Sequence, residues 1–288
     1  MKYLIINADD YGLCKASNEA VDQLFKEGAI TTATLMVPCP YAEDAVRRAK
    51  ENPKMCIGLH ITTTAEYDTY RWGPIDQSCK SLTDSDGYFY RTAADNLAHA
   101  EKEEMLREIK AQFQWMEKRG LPPEHVDSHM ATVYGLHGFS CMSEVIQLCA
   151  KKKLHFRFPH MCNFPKEAPE SLKKRVEKDI QNADALRVGL PNALFTNDYD
   201  IKPEETYESF RDNYIKMLDD LPEGVSELFM HPCIETDQLK SINSQWKKRV
   251  WEYQTLLDPV FQSAIKHRDI RLTSYHEAPF FTKTDKKE

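Results

Sequence analysis

The sequence contains no Cys-x-x-Cys pair, although eight cysteines are scattered along its 288 residues. We therefore expect neither a disulfide framework nor a cysteine-based zinc site, and predict reduced thiols in a cytoplasmic protein. Neither Gly-x-Gly-x-x-Gly nor Gly-x-x-x-x-Gly-Lys-Ser/Thr occurs. Their absence removes support for a nucleotide-binding sheet.

Long apolar runs and basic tracts are also missing. No apolar stretch approaches the ~20 residues that a membrane-spanning helix needs. The apolar start is only four residues long before it meets Asp9 and Asp10, so we expect no signal peptide. The net charge is −7, and the three lysines at 151–153 are too few to attract a phosphate backbone. We predict a protein that binds neither membranes nor nucleic acid.

Apolar strand patterns alternate with amphipathic helices along the chain. Strands are predicted at residues 3–8, 30–37, 55–61, 126–130, 154–158, 185–189, 225–231 and 270–274. Such alternation indicates an α/β fold with parallel strands and crossover helices, either a (β/α) barrel or a doubly wound sheet. A long polar segment at about 62–96 is predicted to be a lid, because loops of this length are usually functional.

Four of the predicted strands end in ionisable side chains. Asp9 and Asp10 end the first strand, and three later strands end in His60, His129 and His231. Burying two adjacent carboxylates is costly unless a partner or a metal offsets their charge. In an α/β barrel the carboxyl ends of all strands share the face where catalytic residues gather. One carboxylate and two neutral imidazoles suit a divalent metal, and the predicted ligands are Asp10, His60 and His129.

Alternation of side chains along one strand separates the roles of three nearby residues. His125, Asp127 and His129 share one face, because every second residue of a strand points the same way. His129 would lie at the mouth of a barrel, and Asp127 one layer deeper, where it could orient a metal ligand. His125, at the start of the strand, is predicted to be structural.

Five segments together resemble the YdjC-like carbohydrate deacetylase family. They are Asn7-Ala8-Asp9-Asp10-Tyr11-Gly12, Gly58-Leu59-His60-Ile61-Thr62, residues 81–89, His125-Val126-Asp127-Ser128-His129 and Phe229-Met230-His231-Pro232. The segments follow the family order and together cover most of the chain. The resemblance implies a distorted, TIM-barrel-like (β/α) barrel, here a single domain over residues 1–288, that removes an acetyl group from N-acetylated sugars.

The same resemblance implies roles for the candidate residues. Asp10, His60 and His129 would bind one divalent metal ion, zinc or magnesium. Asp9 would be the general base, and His231 the general acid. Family members commonly form homodimers, so a homodimer is expected. Residues 130–134 depart from the family, which often has further histidines there, and this changes the predicted pocket beside the metal.

We predict a metal-dependent amide hydrolase whose substrates are N-acetylated sugars, small oligosaccharides such as chitobiose. Tyr11, Trp72 and Tyr134 lie near the motifs and could stack on a pyranose ring.

Three alternatives remain open on the sequence alone. The pair His125-x-Asp127 with a distant histidine imitates the metal triad of a non-haem iron oxygenase. A glycosidase could use Asp9 and Asp10, although adjacent carboxylates cannot easily flank one glycosidic bond. The third alternative is a non-catalytic, sugar-binding regulatory protein.

Overall fold

The computed structural model describes residues 1–162, 164 and 167–281. Its strands are β1 (Lys2–Tyr11), β2 (Thr32–Leu35), β3 (Ile57–Ile61), β4 (His125–Ser128), β5 (His155–Phe156), β6 (Leu194–Phe195), β7 (Gly224–Met230) and β8 (Arg271–Leu272). Its helices are α1 (Lys15–Lys26), α2 (Ala42–Glu51), α3 (Ala93–His99), α4 (Lys102–Lys118), α5 (Met142–Lys152), α6 (Glu170–Ala185), α7 (Tyr207–Met217), α8 (Asp237–Ile242), α9 (Trp246–Leu257) and α10 (Pro259–His267).

All paired strands are parallel, in the order β5-β4-β3-β2-β1-β7-β6, and β8 pairs with the start of β1. The sheet curls into a half-barrel with helices between its strands. The predicted α/β architecture of parallel strands and crossover helices is confirmed. None of the helices in the described ranges is both long and apolar enough to cross a membrane.

Strand β1 lies inside the sheet, between β2 and β7, and is buried from Leu4 onward. Strands covered on both faces form continuous apolar runs, which explains the apolar start of this chain. The strand ends at Tyr11 and is followed by Gly12, whose φ is +90°. A Cβ atom there would lie 2.8 Å from the Leu35 side chain, so the turn after Asp9 and Asp10 requires glycine.

The sheet does not close into a complete barrel among the described residues. No ladder joins β5 to β6. Irregular backbone hydrogen bonds span the gap instead, in which the carbonyls of Gly189, Pro191 and Asn192 accept from the N–H groups of Phe156, His160 and Met161. The predicted strand at 185–189 is wrong, because α6 continues to Ala185 and then turns at Arg187, with a φ of +56°. Each of the other seven predicted strands overlaps an observed one.

Residues 62–96, the predicted lid, form a segment that packs against the body of the protein. The segment contains a 3-10 turn at Lys80–Leu82 and an isolated bridge between Thr83 and Phe89. The side chains of Trp72, Leu82 and Phe89 are buried in the main core. These contacts anchor the segment to the body of the protein.

Candidate active site

The carboxyl ends of β1, β3 and β4 bring Asp10, His60 and His129 together. Asp10 Oδ1 lies 3.3 Å from His60 Nε2 and 3.5 Å from His129 Nδ1, and these two nitrogens are 3.3 Å apart. Three ligand atoms about 2.1 Å from one tetrahedral ion would be about 3.4 Å apart, so the triangle has the size of a metal site. Asp10 Oδ1 is buried and accepts no hydrogen bond from the described residues, which leaves it free for a cation.

A local irregularity turns both aspartates toward this triangle. Adjacent strand residues normally point to opposite faces of a sheet. Here the register of β1 against β2 shifts between Ala8 and Tyr11, and Asp10 has a φ of +60°. Aspartate adopts this left-handed conformation more readily than most residues do. Asp9 Oδ2 therefore also faces His60, at 3.9 Å from Nε2.

Each imidazole has a carboxylate beside its other ring nitrogen. His60 Nδ1 lies 2.6 Å from Asp127 Oδ1, and His129 Nε2 lies 3.0 Å from Glu66 Oε2. Such partners fix the tautomer of a histidine and orient its ring toward a metal. Asp127 thus lies where the strand alternation predicts an orienting acceptor. Glu66 belongs to no motif, so the sequence alone does not identify it.

Negative charge predominates around the two imidazoles. Four carboxylates lie within 3.9 Å of an imidazole nitrogen: Asp9, Asp10, Glu66 and Asp127. Burial opposes charge on an imidazole, but Asp127 and Asp10 raise the pKa of His60 to about 10. For His129, Glu66 and Asp10 likewise overcome burial and raise the pKa to about 9. A site that stabilises positive charge in this way favours a bound cation.

Arg249, from α9, lies beside the second oxygen of Asp10. Its Nη2 atom is 2.7 Å from Asp10 Oδ2 and donates a hydrogen bond of 3.1 Å to the Tyr67 hydroxyl. Arg249 therefore neutralises Oδ2 and leaves Oδ1 facing the histidines. Despite the cost of burial, Arg249 keeps the pKa of Asp10 well below its usual value.

Arg157, which follows β5, is the main cation beneath the site and is only 4% exposed. Its guanidinium donates to both oxygens of Asp9 at 2.6 and 2.7 Å, and to Glu227 Oε1 at 2.6 Å. It also lies 2.8 Å from Asp127 Oδ2. Burial opposes ionisation of Asp9, but Arg157 lowers the pKa of that carboxyl to about 2.

Arg157 also explains why one metal position is expected rather than two. Asp9, His60 and Asp127 form a second group of closely spaced ligand atoms. The guanidinium Nη1 lies 2.6 Å from an oxygen of Asp9 and 2.8 Å from an oxygen of Asp127. It therefore supplies the positive charge that this second group needs.

His231, after β7, lies on the other side of Asp9. Its Nε2 atom is 3.8 Å from Asp9 Oδ2 and 2.7 Å from the Tyr199 hydroxyl. Its Nδ1 atom is 3.8 Å from Glu252 Oε2. Glu252 is held in place because it accepts the backbone N–H of His231 at 2.8 Å and the Tyr214 hydroxyl at 3.0 Å. The Glu252 carboxylate is therefore fixed on the Nδ1 side of the His231 ring.

These side chains line a cavity of about 490 Å³. Its walls include aromatic rings and hydrogen-bonding side chains, among them Tyr134, Tyr199, Phe229, Tyr67, Asn243 and Gln245. A cavity that combines apolar walls with a few convergent polar groups is typical of a small-molecule site. Tyr199 is 54% exposed and lines the cavity, so it is available to a ligand, although its place in the sequence gives no sign of this role.

Of the three aromatic residues predicted to stack on a sugar, only Tyr134 lines this cavity. The prediction is wrong for Tyr11 and Trp72, which are buried in the core. The Tyr11 hydroxyl donates to the Ala45 carbonyl at 3.0 Å, and Trp72 Nε1 donates to the Thr64 carbonyl at 2.9 Å. Both rings lie close to the motifs in sequence but serve packing.

Comparisons with known proteins agree over almost the whole chain. Residues 3–267 match the family described as "YdjC-like protein". A carbohydrate deacetylase from Thermoanaerobacter pseudethanolicus is 29% identical, over 96% of this chain and 98% of its own length. A chitooligosaccharide deacetylase from Yersinia enterocolitica is 24% identical, over 96% of this chain and 99% of its own length.

A solved structure shares the architecture. It is that of an Enterococcus faecalis protein provisionally described as a cellobiose-phosphate cleavage protein, and it is 27% identical with a TM-score of 0.77. The match covers 95% of this chain and 97% of that protein. The overall fold therefore recurs in an experimentally determined structure.

Proposed function

The chain belongs to the YdjC-like protein family and is a carbohydrate deacetylase, and we propose that it uses one divalent metal ion. Its proposed substrates are small N-acetylated oligosaccharides, such as chitobiose, whose acetyl amide it hydrolyses. The observation that carries this proposal is the triangle of Asp10, His60 and His129, with Asp9 and His231 beside it. Together they provide a cation site, a proton acceptor and a proton donor along one wall of the cavity.

Asp10, His60 and His129 would hold the metal ion. Two imidazole nitrogens and one carboxylate suit zinc better than magnesium, which prefers oxygen ligands. When bound, a divalent ion polarises the acetyl carbonyl and lowers the pKa of its bound water.

Asp9 is the proposed general base. Arg157 holds Asp9 ionised at neutral pH and fixes its orientation through two short hydrogen bonds, of 2.6 and 2.7 Å. Its Oδ2 atom, which faces His60 and His231, would accept a proton from the attacking water. Because Arg157 also makes Asp9 a weak base, the water that it deprotonates must itself be acidified.

His231 is the proposed general acid. An amide anion is a very poor leaving group, so the departing sugar nitrogen needs a proton as the bond breaks. The Nε2 atom of His231 would donate it, and the Glu252 carboxylate lies 3.8 Å from Nδ1 on the other side of the ring. In the structure the Tyr199 hydroxyl lies 2.7 Å from Nε2, so the substrate nitrogen would take the place of that hydroxyl.

The geometry gives less support to the other chemistries. His125 stacks on Tyr275 at 4.3 Å and lies 3.2 Å from Asn7 Oδ1, in the core, so it is badly placed to complete an oxygenase triad. Asp9 and Asp10 both face His60, so they cannot bracket a glycosidic bond from opposite sides.

A homodimer and a cytoplasmic location complete the proposal. The proposed homodimer rests on the family resemblance alone. The second is supported by the eight cysteines, none of which forms a disulfide in the structure.

We expect the purified, zinc-supplied protein to release acetate from N-acetylated di- or trisaccharides and to leave the glycosidic bond intact. A screen of mono-, di- and trisaccharides, with and without phosphate, would identify the best substrate by coupled acetate assay and mass spectrometry. Protein carrying His129→Ala, prepared identically, is the control. Products cleaved between sugars, or acetate released equally by the control, would contradict the proposal.

Tyr199 should matter for binding of the sugar more than for its conversion. Loss of an aromatic contact worth about 1 kcal/mol would raise KM by about fivefold, which is the effect expected for Tyr199→Ala. Tyr199→Phe keeps the ring and should therefore keep KM close to that of the wild type. Tyr88→Ala is a matched control, because Tyr88 is exposed but does not line the cavity. If Tyr199→Ala has wild-type kinetics on the best substrate, the ring makes no contact with the sugar.

A further inference from the structure

We propose that Glu66 is a positioning residue for His129. It ends a fixed segment, residues 62–66, which we call the arm. The arm holds the Glu66 carboxylate against the imidazole of His129, so that the Nδ1 atom of this ring faces Asp10 and His60. The inference rests on the proposed function, because it concerns the orientation of a ligand in the proposed metal centre. It assigns a role to the segment after β3 that neither the sequence motifs nor the family comparison provides.

The contact itself defines which nitrogen of His129 is available. Glu66 Oε2 lies 3.0 Å from Nε2, and the Glu66 side chain is 23% exposed where it lines the cavity. A carboxylate is an acceptor only, so Nε2 must carry the proton of this hydrogen bond. In the neutral imidazole, the form that binds a metal, the lone pair is then on Nδ1, which lies 3.5 Å from Asp10 Oδ1.

His129 needs such a partner more than His60 does. His60 lies within β3, and the neighbouring strand β4 supplies Asp127 to orient its ring. His129 lies just past the end of β4, in a turn whose next two residues, Met130 and Ala131, have φ values of +50° and +56°. The sheet therefore provides no strand neighbour beyond His129, and the orienting carboxylate comes from the arm.

The arm is anchored at four consecutive residues, which are all fully buried. The Gln112 side chain accepts from the N–H of Thr62 and donates to its carbonyl. The next two carbonyls, of Thr63 and Thr64, accept from the side chains of Asn96 and Trp72. The Ala65 N–H donates to the Tyr90 carbonyl. These bonds are 2.7 to 3.0 Å long. A segment with its backbone groups paired inside the core has little local freedom. Glu66, the next residue, is thus presented from a fixed position.

Variants of Glu66 test this role through metal affinity and through the imidazole itself. We expect Glu66→Ala to weaken zinc binding by about 10–100-fold, the usual loss when such a hydrogen-bonding partner is removed. Glu66→Gln should lose less, since its amide oxygen can still accept from Nε2–H. Zinc affinity would be measured by competition with a chelator. The matched control is Asp68→Asn, two residues away, where the side chain is 83% exposed and pairs with Arg91.

The second readout is the Nε2–H proton of His129 in nitrogen-15 NMR spectra of the full-length protein. A hydrogen bond to Glu66 should protect this proton from exchange with water. The signal should persist in the wild type and in Asp68→Asn, and disappear in Glu66→Ala. A Glu66→Ala protein that keeps both the signal and wild-type zinc affinity would overturn the proposal.

The two readouts also separate this proposal from the proposed function. The protected Nε2–H signal does not require a metal. If the wild type shows the Glu66-dependent signal but binds no zinc, the proposed function fails and the contact with His129 stands. If zinc binds and acetate is released, but Glu66→Ala changes neither signal nor affinity, the positioning role fails and the deacetylase stands.

Discussion

Asp9→Asn is expected to keep the metal and lower kcat by roughly 10²–10⁴-fold, the usual cost of losing a general base. Asp10→Asn is expected to fail differently, by weakening metal binding, because a neutral amide replaces the only anionic ligand of the triangle. The two residues are adjacent and chemically identical, so each variant is the matched control for the other. Only their different positions, set by the bulge in β1, separate the two outcomes.

The measurement is a zinc titration of both variants beside their turnover of the best substrate. His231→Ala belongs in the same series and should retain zinc while losing turnover. Substrates whose leaving group needs no proton should partly restore its activity. If Asp9→Asn loses zinc while Asp10→Asn retains it, the two roles are reversed. If both keep zinc and activity, the deacetylase mechanism is wrong.

Arg157→Ala is expected to destabilise the protein by about 3–5 kcal/mol, the usual cost of removing one partner of a buried ion pair. The reason is the number of carboxylates that depend on this guanidinium. Asp9, Asp127 and Glu227 each lie within 2.8 Å of it. Burial raises the pKa of Glu227 even with Arg157 present. Removal of the Arg157 guanidinium therefore leaves the core with uncompensated negative charge.

The effect of Arg157→Ala should depend on pH with a definite sign. In the wild type the pKa of Asp9 is lowered from 3.8 to about 2, so its ion pair stabilises the fold fully above about pH 4, and this stabilisation is lost progressively as the pH falls toward 2. In the variant the unpaired carboxylates gain raised pKa values, so protonation relieves their repulsion as the pH falls. The stability difference between the proteins should therefore be largest at neutral pH and shrink toward pH 4.

Urea unfolding followed by circular dichroism at several pH values would measure this difference. Arg157→Lys provides a foldable comparison, since lysine retains the charge but cannot bond to all three carboxylates in the planar geometry of arginine. We expect it to lie between the wild type and Arg157→Ala in stability. A difference that stays constant with pH, or grows as the pH falls, would exclude the proposed electrostatic role.

The sequence predicts the parts of this protein that follow from strand patterns. A central strand buried on both faces has to be apolar, and the carboxyl ends of parallel strands have to meet at one edge of the sheet. Asp10, His60 and His129 can therefore be grouped from the strand patterns alone. The prediction of a strand at 185–189 is wrong because its apolar residues lie at the C-terminal end of α6 instead.

The features of the site that the sequence does not predict are contacts between elements that are distant in the chain. Arg157, Glu66 and Arg249 carry no motif, and they reach the site from a strand end, a loop and a helix. Their roles depend on the packing of these elements, which no local pattern records. Tyr11 and Trp72 show the converse, because closeness to a motif in sequence does not determine whether a ring faces the cavity or the core.

The most direct test of the account is the metal dependence of acetate release. Protein freed of metal by a chelator would be titrated with zinc, and acetate from N,N'-diacetylchitobiose, or from the best substrate of the screen, would be measured at each step. We predict no acetate without metal, a linear rise with added zinc and a plateau at one ion per chain. Full acetate release from the metal-free protein would contradict the assignment of Asp10, His60 and His129 as ligands of a catalytic ion.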